Sequence, residues 1–333
     1  MQPRDCIPRP MERVNNMRSK WLVALALAAV PGAFAAGSAL PGTVNYIQGQ
    51  VTINGNAVAA TQVGSAAVMT GQTLSVGTGK AEILLSPGTF LRVGNGGAIR
   101  MVSADLADPQ VEVIHGEAMV EVDYKPKAAR MEVMERGANT QLLKEGLYKF
   151  DAERGSVEVI DGKASVAENG RSKDIGKGKE LMLADASLKP VSFDTKNEDE
   201  LYRWSSVRDG YLAQANYATA ENMYVGGGWG PGWGLGWDWN PYYGTYAWLP
   251  YDGFFWSPFG YPFFSPGYVV YAPRIRAYGY GGFGGHPGPG AAAFAGGRVG
   301  GFAGGRVGGM AAAPRFSGGG GFGGGRVGGG GRR

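Results

Sequence analysis

A ten-residue pattern occurs three times in the first half of the chain and constrains the fold more than any other feature. The copies span residues 44–53, 111–120 and 157–166, and they share the skeleton V-x-x-I-x-G-x-[VA]-x-[VI]. Apolar residues alternate with polar ones on both sides of the glycine, and this alternation places the apolar set on one face of a β-strand. Because glycine adopts positive φ readily, each copy predicts a strand, a tight turn and a second strand. The last two copies agree at seven of ten positions, which favours internal repetition.

Further motifs follow the first copy in a fixed order. A G-x-V strand begins at Gly49, a G-x-x-L step begins at Gly71, a hairpin motif spans residues 79–93, and a G-x-A-x-V-x-V strand spans residues 116–122. In this order they resemble the FecR-type domain of bacterial envelope proteins over roughly residues 42–125. The chain departs from that family at Pro87, where the central hairpin usually carries an aspartate.

The resemblance implies a non-enzymatic module of the cell envelope. The named member of the family is a membrane-spanning regulator that passes an iron-siderophore signal to a sigma factor. This chain shows no cytoplasmic helical domain of that kind, so the signalling role does not carry over intact. A periplasmic signalling partner of an outer-membrane transporter therefore remains the weaker alternative.

Residues 1–35 have the pattern of a secretory signal peptide. Basic residues at Arg18 and Lys20 precede the apolar run 21–30, and Ala33-Phe34-Ala35 forms an A-x-A cleavage site. We therefore expect cleavage after Ala35 and export to the periplasm, the outer envelope or the extracellular space, with Met17 as the true start. The alternative is an N-terminal anchor, although ten to fifteen apolar residues fall short of the ~20 that span a bilayer. The single cysteine, Cys6, precedes this signal, so the mature chain is expected to have no disulfide.

Residues 42–190 consist of short alternating runs and turn signals, without a convincing helix. Asn54-Gly55 and Asp161-Gly162 are typical of two-residue hairpin loops. We predict a mainly β domain, a hairpin-repeat β-roll, short solenoid or sandwich. The acidic residues occupy alternating strand positions, which predicts a solvated outer face.

A single amphipathic helix is predicted over residues 195–216. Thr195 and Glu198 have the spacing of a capping box. Leu201, Trp204, Tyr211 and their neighbours recur every three to four residues and form one apolar stripe. We expect this stripe to pack on the β domain, the alternative being that it docks on a partner.

Residues 224–280 are rich in aromatic residues, proline and glycine. They hold 21 of the chain's 38 aromatic residues. The segment resembles the W/Y/P/G-rich region that follows FecR-type domains in some soil-bacterial secreted proteins. Large exposed apolar patches mark interaction surfaces, so we predict that it contacts a partner or self-associates, and that a chain ending at Met223 is soluble. The predicted contact residues are Trp229, Trp233, Trp237, Trp239, Trp248 and Trp256.

Residues 281–333 contain 25 glycines, six arginines and no acid, in repeats of the form F-x-G-G-R-V-G-G. The few apolar residues of this tail cannot offset the entropy of ordering it, so it is predicted to be disordered alone. Three arginines in the repeats, Arg298, Arg306 and Arg326, are predicted to contact anionic envelope polymers.

Residues with catalytic or metal-binding spacing are not evident. His115 occupies a position that is Gln48 and Asp161 in the other copies, which predicts a turn residue. Asp238 and Asp252 could pair as glycosidase carboxylates, but turn-forming roles are favoured. We therefore predict no enzyme activity, no catalytic residue, no cofactor and no metal.

The two leading functions differ in class. The first is an envelope interaction module with an adhesive tail, and the second is a carbohydrate-binding or carbohydrate-active envelope protein. The predicted partners are an envelope polymer (polysaccharide, lipopolysaccharide or peptidoglycan) or an envelope protein, with no nucleic acid expected.

Overall fold

The computed structural model describes residues 39–183, 185, 187–196, 198–228 and 236–273. The predicted signal peptide, Trp229, Trp233 and the glycine- and arginine-rich tail with Arg298, Arg306 and Arg326 lie outside the described residues. No helix within the described part of the chain combines the length and apolarity needed to cross a membrane.

Strands dominate the described residues, in agreement with the mainly β prediction. The strands are β1 Val44–Ile53, β2 Asn56–Ala57, β3 Thr73–Ser86, β4 Thr89–Val93, β5 Ala98–Ala104, β6 Pro109–His115, β7 Glu117–Val122, β8 Glu132–Glu135, β9 Ala138–Leu142, β10 Gly146–Asp151, β11 Ser156–Asp161, β12 Lys163–Glu168, β13 Arg171–Gly176, β14 Lys179–Met182, β15 Val191–Ser192, β16 Gly236–Asn240, β17 Thr245–Leu249, β18 Phe254–Trp256 and β19 Pro262–Phe264. One long helix, α1, spans Glu200–Gly226.

The first fifteen strands form one curled sheet in which β3 lies at the centre. We call the strands β4-β7-β10-β11-β14-β15, together with residues 81–86 of β3, half-sheet A. The strands β5-β6-β8-β9-β12-β13, together with residues 73–75 of β3, form half-sheet B. Alternate apolar residues of both half-sheets pack into a single core, which includes Ile83, Leu91 and Val120 as well as Ile99, Val113 and Val166. This inner core accounts for the apolar half of the alternating pattern.

The glycines of the repeated pattern mark corners between the half-sheets, not hairpin turns. Gly116 separates β6 in half-sheet B from β7 in half-sheet A, and Gly162 separates β11 in half-sheet A from β12 in half-sheet B. The predicted positive φ is confirmed at both, at 67° and 97°. The predicted turn between two paired strands is wrong, including the hairpin loop at Asp161-Gly162, because the strands on either side pair with different neighbours.

The first copy of the pattern bends within one strand. Gly49, at φ 73°, lies opposite Gly79 where the β1–β3 ribbon crosses from one half-sheet to the other. A Cβ atom on Gly49 would lie 1.9 Å from the carbonyl oxygen of Thr78, so only glycine fits here. The hairpin loop predicted at Asn54-Gly55 is confirmed, since Ile53 pairs with Asn56 and both loop residues have positive φ.

Helix α1 begins and ends later than its pattern predicted. Asp199 is the N-cap, and its side chain accepts a hydrogen bond from the Tyr202 amide at 2.7 Å. The capping box predicted at Thr195 is therefore wrong. Asp199 caps the helix instead, and its carboxylate also forms an ion pair with Lys149 of β10. Gly227, in the left-handed conformation, ends the helix ten residues beyond the predicted Asn216.

The described part of the aromatic segment, residues 236–273, is ordered. It forms two hairpins, β16–β17 and β18–β19, which pack against α1. The side-chain amide of Asn216 donates to the carbonyls of Trp248 and Phe264 at 2.7 and 2.9 Å, and accepts from the Phe264 amide at 2.8 Å. We call α1 and residues 236–273 together the cover, because they bury the outer face of half-sheet A.

Candidate functional site: a tyrosine groove above a buried charge network

The outer face of half-sheet A is charged yet buried. Glu82 on β3, Arg92 on β4 and Glu121 on β7 point away from the apolar core, and none has any solvent exposure. The expectation that the acidic strand positions form a solvated face is therefore wrong at these positions. The cover removes them from water, and their charges are compensated by one another.

Glu82 is the centre of this network. It accepts hydrogen bonds from Arg92 Nε at 2.9 Å, Arg208 Nε at 3.0 Å and Asn45 Nδ2 at 2.9 Å. Burial alone would raise the pKa of Glu82, but Arg208 and Arg92 outweigh it and hold the pKa below its ordinary value. Glu82 therefore stays ionised and fixes both guanidinium groups.

The network joins the sheet to both parts of the cover. Arg92 also pairs with Glu121 on the neighbouring strand. Arg208 of α1 donates from Nη2 to Thr245 Oγ1 at 2.6 Å, which reaches β17. The Asn45 side chain accepts from the Tyr246 amide at 2.8 Å. The orientation of α1 on the sheet, and with it the face that α1 presents to solvent, follows from these bonds.

A groove of about 410 Å³ opens to solvent above this network. It lies between the start of β1, the exposed side of α1 and the turn that precedes β17. We call it the tyrosine groove; its lining residues are Tyr46, Trp204, Val207, Arg208, Tyr211, Tyr242, Tyr243 and Thr245. Tyr242 is 88 % exposed and Tyr211 is 53 % exposed, so aromatic surface is available to a ligand.

Four rings of the groove contact one another in two pairs, and Arg208 contacts one of them. The Arg208 guanidinium carbon lies 4.6 Å from the centre of the Tyr46 ring. The Tyr46 and Trp204 rings are 6.0 Å apart, and the Tyr242 and Tyr243 rings are 5.1 Å apart. Tyrosine and tryptophan offer a flat apolar face and a polar tip, which together suit a ligand with both apolar faces and hydroxyl groups.

The predicted tryptophans do not line this groove. Trp248 is fully buried, its ring stacks on Tyr124 at 6.5 Å, and it covers Gly88 so closely that a Cβ there would lie 2.9 Å from the indole. The prediction that Trp248 is an exposed contact residue is therefore wrong, because it anchors the cover to the sheet.

The other described tryptophans of the prediction lie at the edges of the cover. Trp237 and Trp239 are half-buried on β16. The Trp239 ring packs edge-on against Tyr246 at 5.1 Å and lies above Gly64. Trp256 on β18 is 42 % exposed. Partner contact by these three residues stays a prediction.

The groove residues carried a signal that sequence reasoning assigned elsewhere. The stripe predicted to pack on the β domain does so at Leu201 and at the half-buried Trp204, which contact Met119 and Leu147 of the sheet. The prediction is wrong at Tyr211, which is 53 % exposed. Tyr242 and Tyr243 belong to the aromatic segment but are not tryptophans. Their convergence with Tyr46, some two hundred residues away, requires the cover to dock.

The remaining polar residues that the sequence singled out have local partners. His115 Nδ1 pairs with Glu153 at the exposed corner before Gly116. Asp252 is exposed and accepts the Gly253 amide at 2.8 Å, as a turn residue does. Asp238 lies within β16 opposite Ala247 of β17, so the turn role favoured for it is wrong. Burial raises the pKa of Asp238.

Comparisons with known proteins identify no family and find only weak structural similarity. No protein-family model and no curated protein matches the chain. Two crystal structures described as a "putative anti-sigma factor" from Parabacteroides distasonis are similar at 18 % identity and a TM-score of 0.32. The similarity covers 40 % and 41 % of this chain and 62 % and 64 % of those chains, less than two thirds of their length. A similarity this weak identifies neither a family nor a function.

Proposed function

We propose that this chain is a non-enzymatic, FecR-like binding module of the bacterial cell envelope whose tyrosine groove holds a segment of polysaccharide. The observation that carries the proposal is the groove lined by the rings of Tyr46, Trp204, Tyr211 and Tyr242, of which Tyr211 and Tyr242 are more than half exposed. The envelope location rests on the signal-peptide pattern of residues 1–35 and on the resemblance of residues 42–125.

The chemistry of the groove favours sugar rings. A pyranose presents an apolar face of C–H groups and an equatorial rim of hydroxyls, which match the face and the tip of a tyrosine. The groove is open along α1, so a chain-like ligand could enter and leave at its ends. Its rings come from three separate elements, and Arg208 holds the Tyr46 ring from below, so part of the groove is formed before binding.

The charge of the groove favours a neutral glycan. Arg208 is the cation that lines it, but its side chain is 7 % exposed and its charge is compensated by Glu82 at 2.9 Å. A polyanion would gain little from a cation that is already paired and desolvated. Binding in the groove should therefore persist at salt concentrations that screen exposed charges.

The experiment is affinity electrophoresis of the full chain through gels that contain neutral plant or bacterial polysaccharides, at 0.1 M and 0.5 M NaCl. We expect retardation by at least one neutral glycan, unchanged between the two salt concentrations. Tyr242→Ala and Tyr211→Ala should each weaken binding by about 1 kcal/mol or more, the cost of losing one well-placed aromatic contact.

Tyr251→Ala is the matched control, because Tyr251 is an exposed tyrosine that does not line the groove. It should bind as the wild-type chain does. Equal loss in all three variants, or binding that disappears at 0.5 M NaCl, would contradict the proposal and indicate an electrostatic or non-specific association.

A further inference from the structure

Three buried carboxyl groups meet beneath α1, and we define Glu121, Asp123 and Asp209 as the carboxylate triad. Glu121 lies on β7, Asp123 follows that strand, and Asp209 lies on α1. One oxygen from each residue lies within 4.8 Å of the other two. Glu121 and Asp209 are fully buried, and Asp123 is 4 % exposed. The sheet and the helix thus bring three carboxyl groups together at a position that is buried from bulk solvent.

Most oxygens of the triad lack a partner among the described residues. Arg92 pairs with one oxygen of Glu121, and the Ser257 hydroxyl donates to Asp209 Oδ2. Glu121 Oε1, Asp209 Oδ1 and both oxygens of Asp123 are buried and have no donor among the described residues while the acids are ionised; Glu121 and Asp123 lie close enough to share a proton instead. Buried carboxylate oxygens are normally hydrogen-bonded or coordinated, because an isolated buried charge is very costly.

The charges around the triad do not balance. Within the described part of the chain, four carboxyl groups, the triad and Glu82, lie with two guanidinium groups, those of Arg92 and Arg208. Ionised carboxylates would therefore leave two negative charges uncompensated in a region without solvent. One divalent cation would neutralise these two charges and would be coordinated by the free carboxylate oxygens.

We propose that the carboxylate triad binds one divalent cation of the calcium type. Carboxylate oxygens are the ligands of hard cations, and Ca²⁺ binds six to eight oxygens at about 2.3–2.6 Å. Two oxygens on opposite sides of such an ion lie about 5 Å apart, which accommodates the spacing of the triad. Four free carboxylate oxygens are present, and the buried, unpartnered Ser205 hydroxyl lies one helical turn before Asp209.

The site has no sequence signature, which explains why no metal was expected. Its ligands come from Glu121 in β7, from Asp123 just after that strand, and from a helix more than eighty residues later, so no short motif records them. A cation here would cross-link β7 to α1 and so strengthen the attachment of the cover. This inference goes beyond the proposed polysaccharide binding and does not depend on it.

The experiment compares the full chain, after removal of metals with EDTA, at pH 7.5 with and without CaCl₂. We expect one Ca²⁺ per chain by native mass spectrometry and a rise in Tm of about 5 °C or more at a Ca²⁺ concentration a hundred times Kd. Asp123→Asn should abolish the rise in Tm while preserving side-chain volume, and Asp209→Asn provides a second test from the helix side. Asp252→Asn, at an exposed turn, should respond to Ca²⁺ as the wild type does.

A competing account neutralises the triad with protons, since burial raises the pKa of Asp123 and Asp209 well above the ordinary value. A wild-type Tm that is equal in EDTA and CaCl₂ would overturn the cation site. A calcium response that survives in both Asn variants would do the same, because it would arise elsewhere in the chain.

Discussion

The two half-sheets share one apolar core but differ on their outer faces. In half-sheet A, Arg92 and Glu121 lie on neighbouring strands and are fully buried under the cover. In half-sheet B, Arg100 and Glu112 form the corresponding pair between β5 and β6, and the Arg100 side chain is 50 % exposed. The same alternating pattern and the same kinds of residue therefore lie in opposite environments.

The difference shows that alternation specifies a strand but not what covers its polar face. A buried ion pair contributes less to net stability than its geometry suggests, because both charges lose their hydration. Such a pair fixes the relative orientation of the two elements that carry it, because a charge buried without its partner is very costly. In this molecule the Glu82–Arg92–Arg208 network sets how α1 lies on half-sheet A.

Removal of part of the cover should have the largest effect. A chain that ends at Met223 lacks β16–β19. We expect the loss of these strands to expose Leu84, Phe90 and the buried charges of half-sheet A. We now expect this chain to aggregate or to lose cooperative unfolding, in contrast to the solubility predicted from the sequence. A chain that ends at Pro273 is the control and should unfold cooperatively; the comparison is made by size-exclusion chromatography and thermal unfolding.

Substitution of one cation in each half-sheet tests the comparison directly. Arg92→Met should lower the free energy of unfolding by about 3–5 kcal/mol, because it leaves Glu82 and Glu121 buried beside fewer positive charges. Arg100→Met should cost about 0–1 kcal/mol, because its pair with Glu112 is partly solvated. Urea unfolding measures both, and similar losses in the two variants would contradict the difference between the half-sheets.

The corners that join the half-sheets are the next most sensitive positions. Gly49→Ala should cost about 3 kcal/mol or more, since it adds a clash with the backbone of Thr78 to the strain of positive φ. Gly55→Ala is the matched control: Gly55 also has positive φ, at 81°, but nothing lies within 4 Å of the added methyl group. It should cost only about 1 kcal/mol, and equal losses in urea unfolding would show that Gly49 is no corner.

The features that the sequence predicted correctly are local. Alternation identified the strands, and Asn54-Gly55 identified a hairpin, because both depend on neighbouring residues. The corner glycines were recognised by their conformation but assigned to turns, since the pairing partners of β6 and β7 are distant. Trp248 was expected at the surface because aromatic composition does not distinguish a core from an adhesive face.

One signal of the cover was nevertheless present in the sequence. Leu84, Phe90, Met119 and Leu147 occupy outward positions among the charged residues of half-sheet A, and all four are buried. Large apolar residues on a polar face indicate that another element packs there. The tyrosine groove was less accessible to prediction, because it exists only once α1 and the turn before β17 have docked beside β1.

The smallest predicted effect concerns a buried acid whose carboxyl oxygens form no hydrogen bond with the described residues. Glu135 of β8 lies in half-sheet B, and burial together with Asp151 raises its pKa to about 8. A raised pKa means that the folded chain holds the proton more tightly, so this contribution to stability is present below about pH 4.5 and is lost as the pH rises through about 8. Glu135→Gln should therefore stabilise the chain on the order of 2 kcal/mol at pH 9 and have little effect at pH 4.

Urea unfolding at the two pH values measures this effect, and the same change at both would contradict it. Glu82→Gln provides the contrast, because Arg208 and Arg92 lower the pKa of Glu82. The stability that ionised Glu82 contributes is present above its unfolded pKa and is lost as the pH falls through its folded pKa. Its substitution should destabilise the chain at neutral pH.

The central claim is that residues 236–273 are an integral part of the folded domain, not an exposed adhesive extension. Hydrogen–deuterium exchange of the full chain, read peptide by peptide, tests it most directly. The account predicts that the amides of β17, around Trp248, are protected to the same degree as those of β4 and β7, because all of them open only with global unfolding. Exchange of the β17 amides within seconds, while those of β4 and β7 remain protected, would contradict the account. It would indicate that the aromatic segment is an exposed extension.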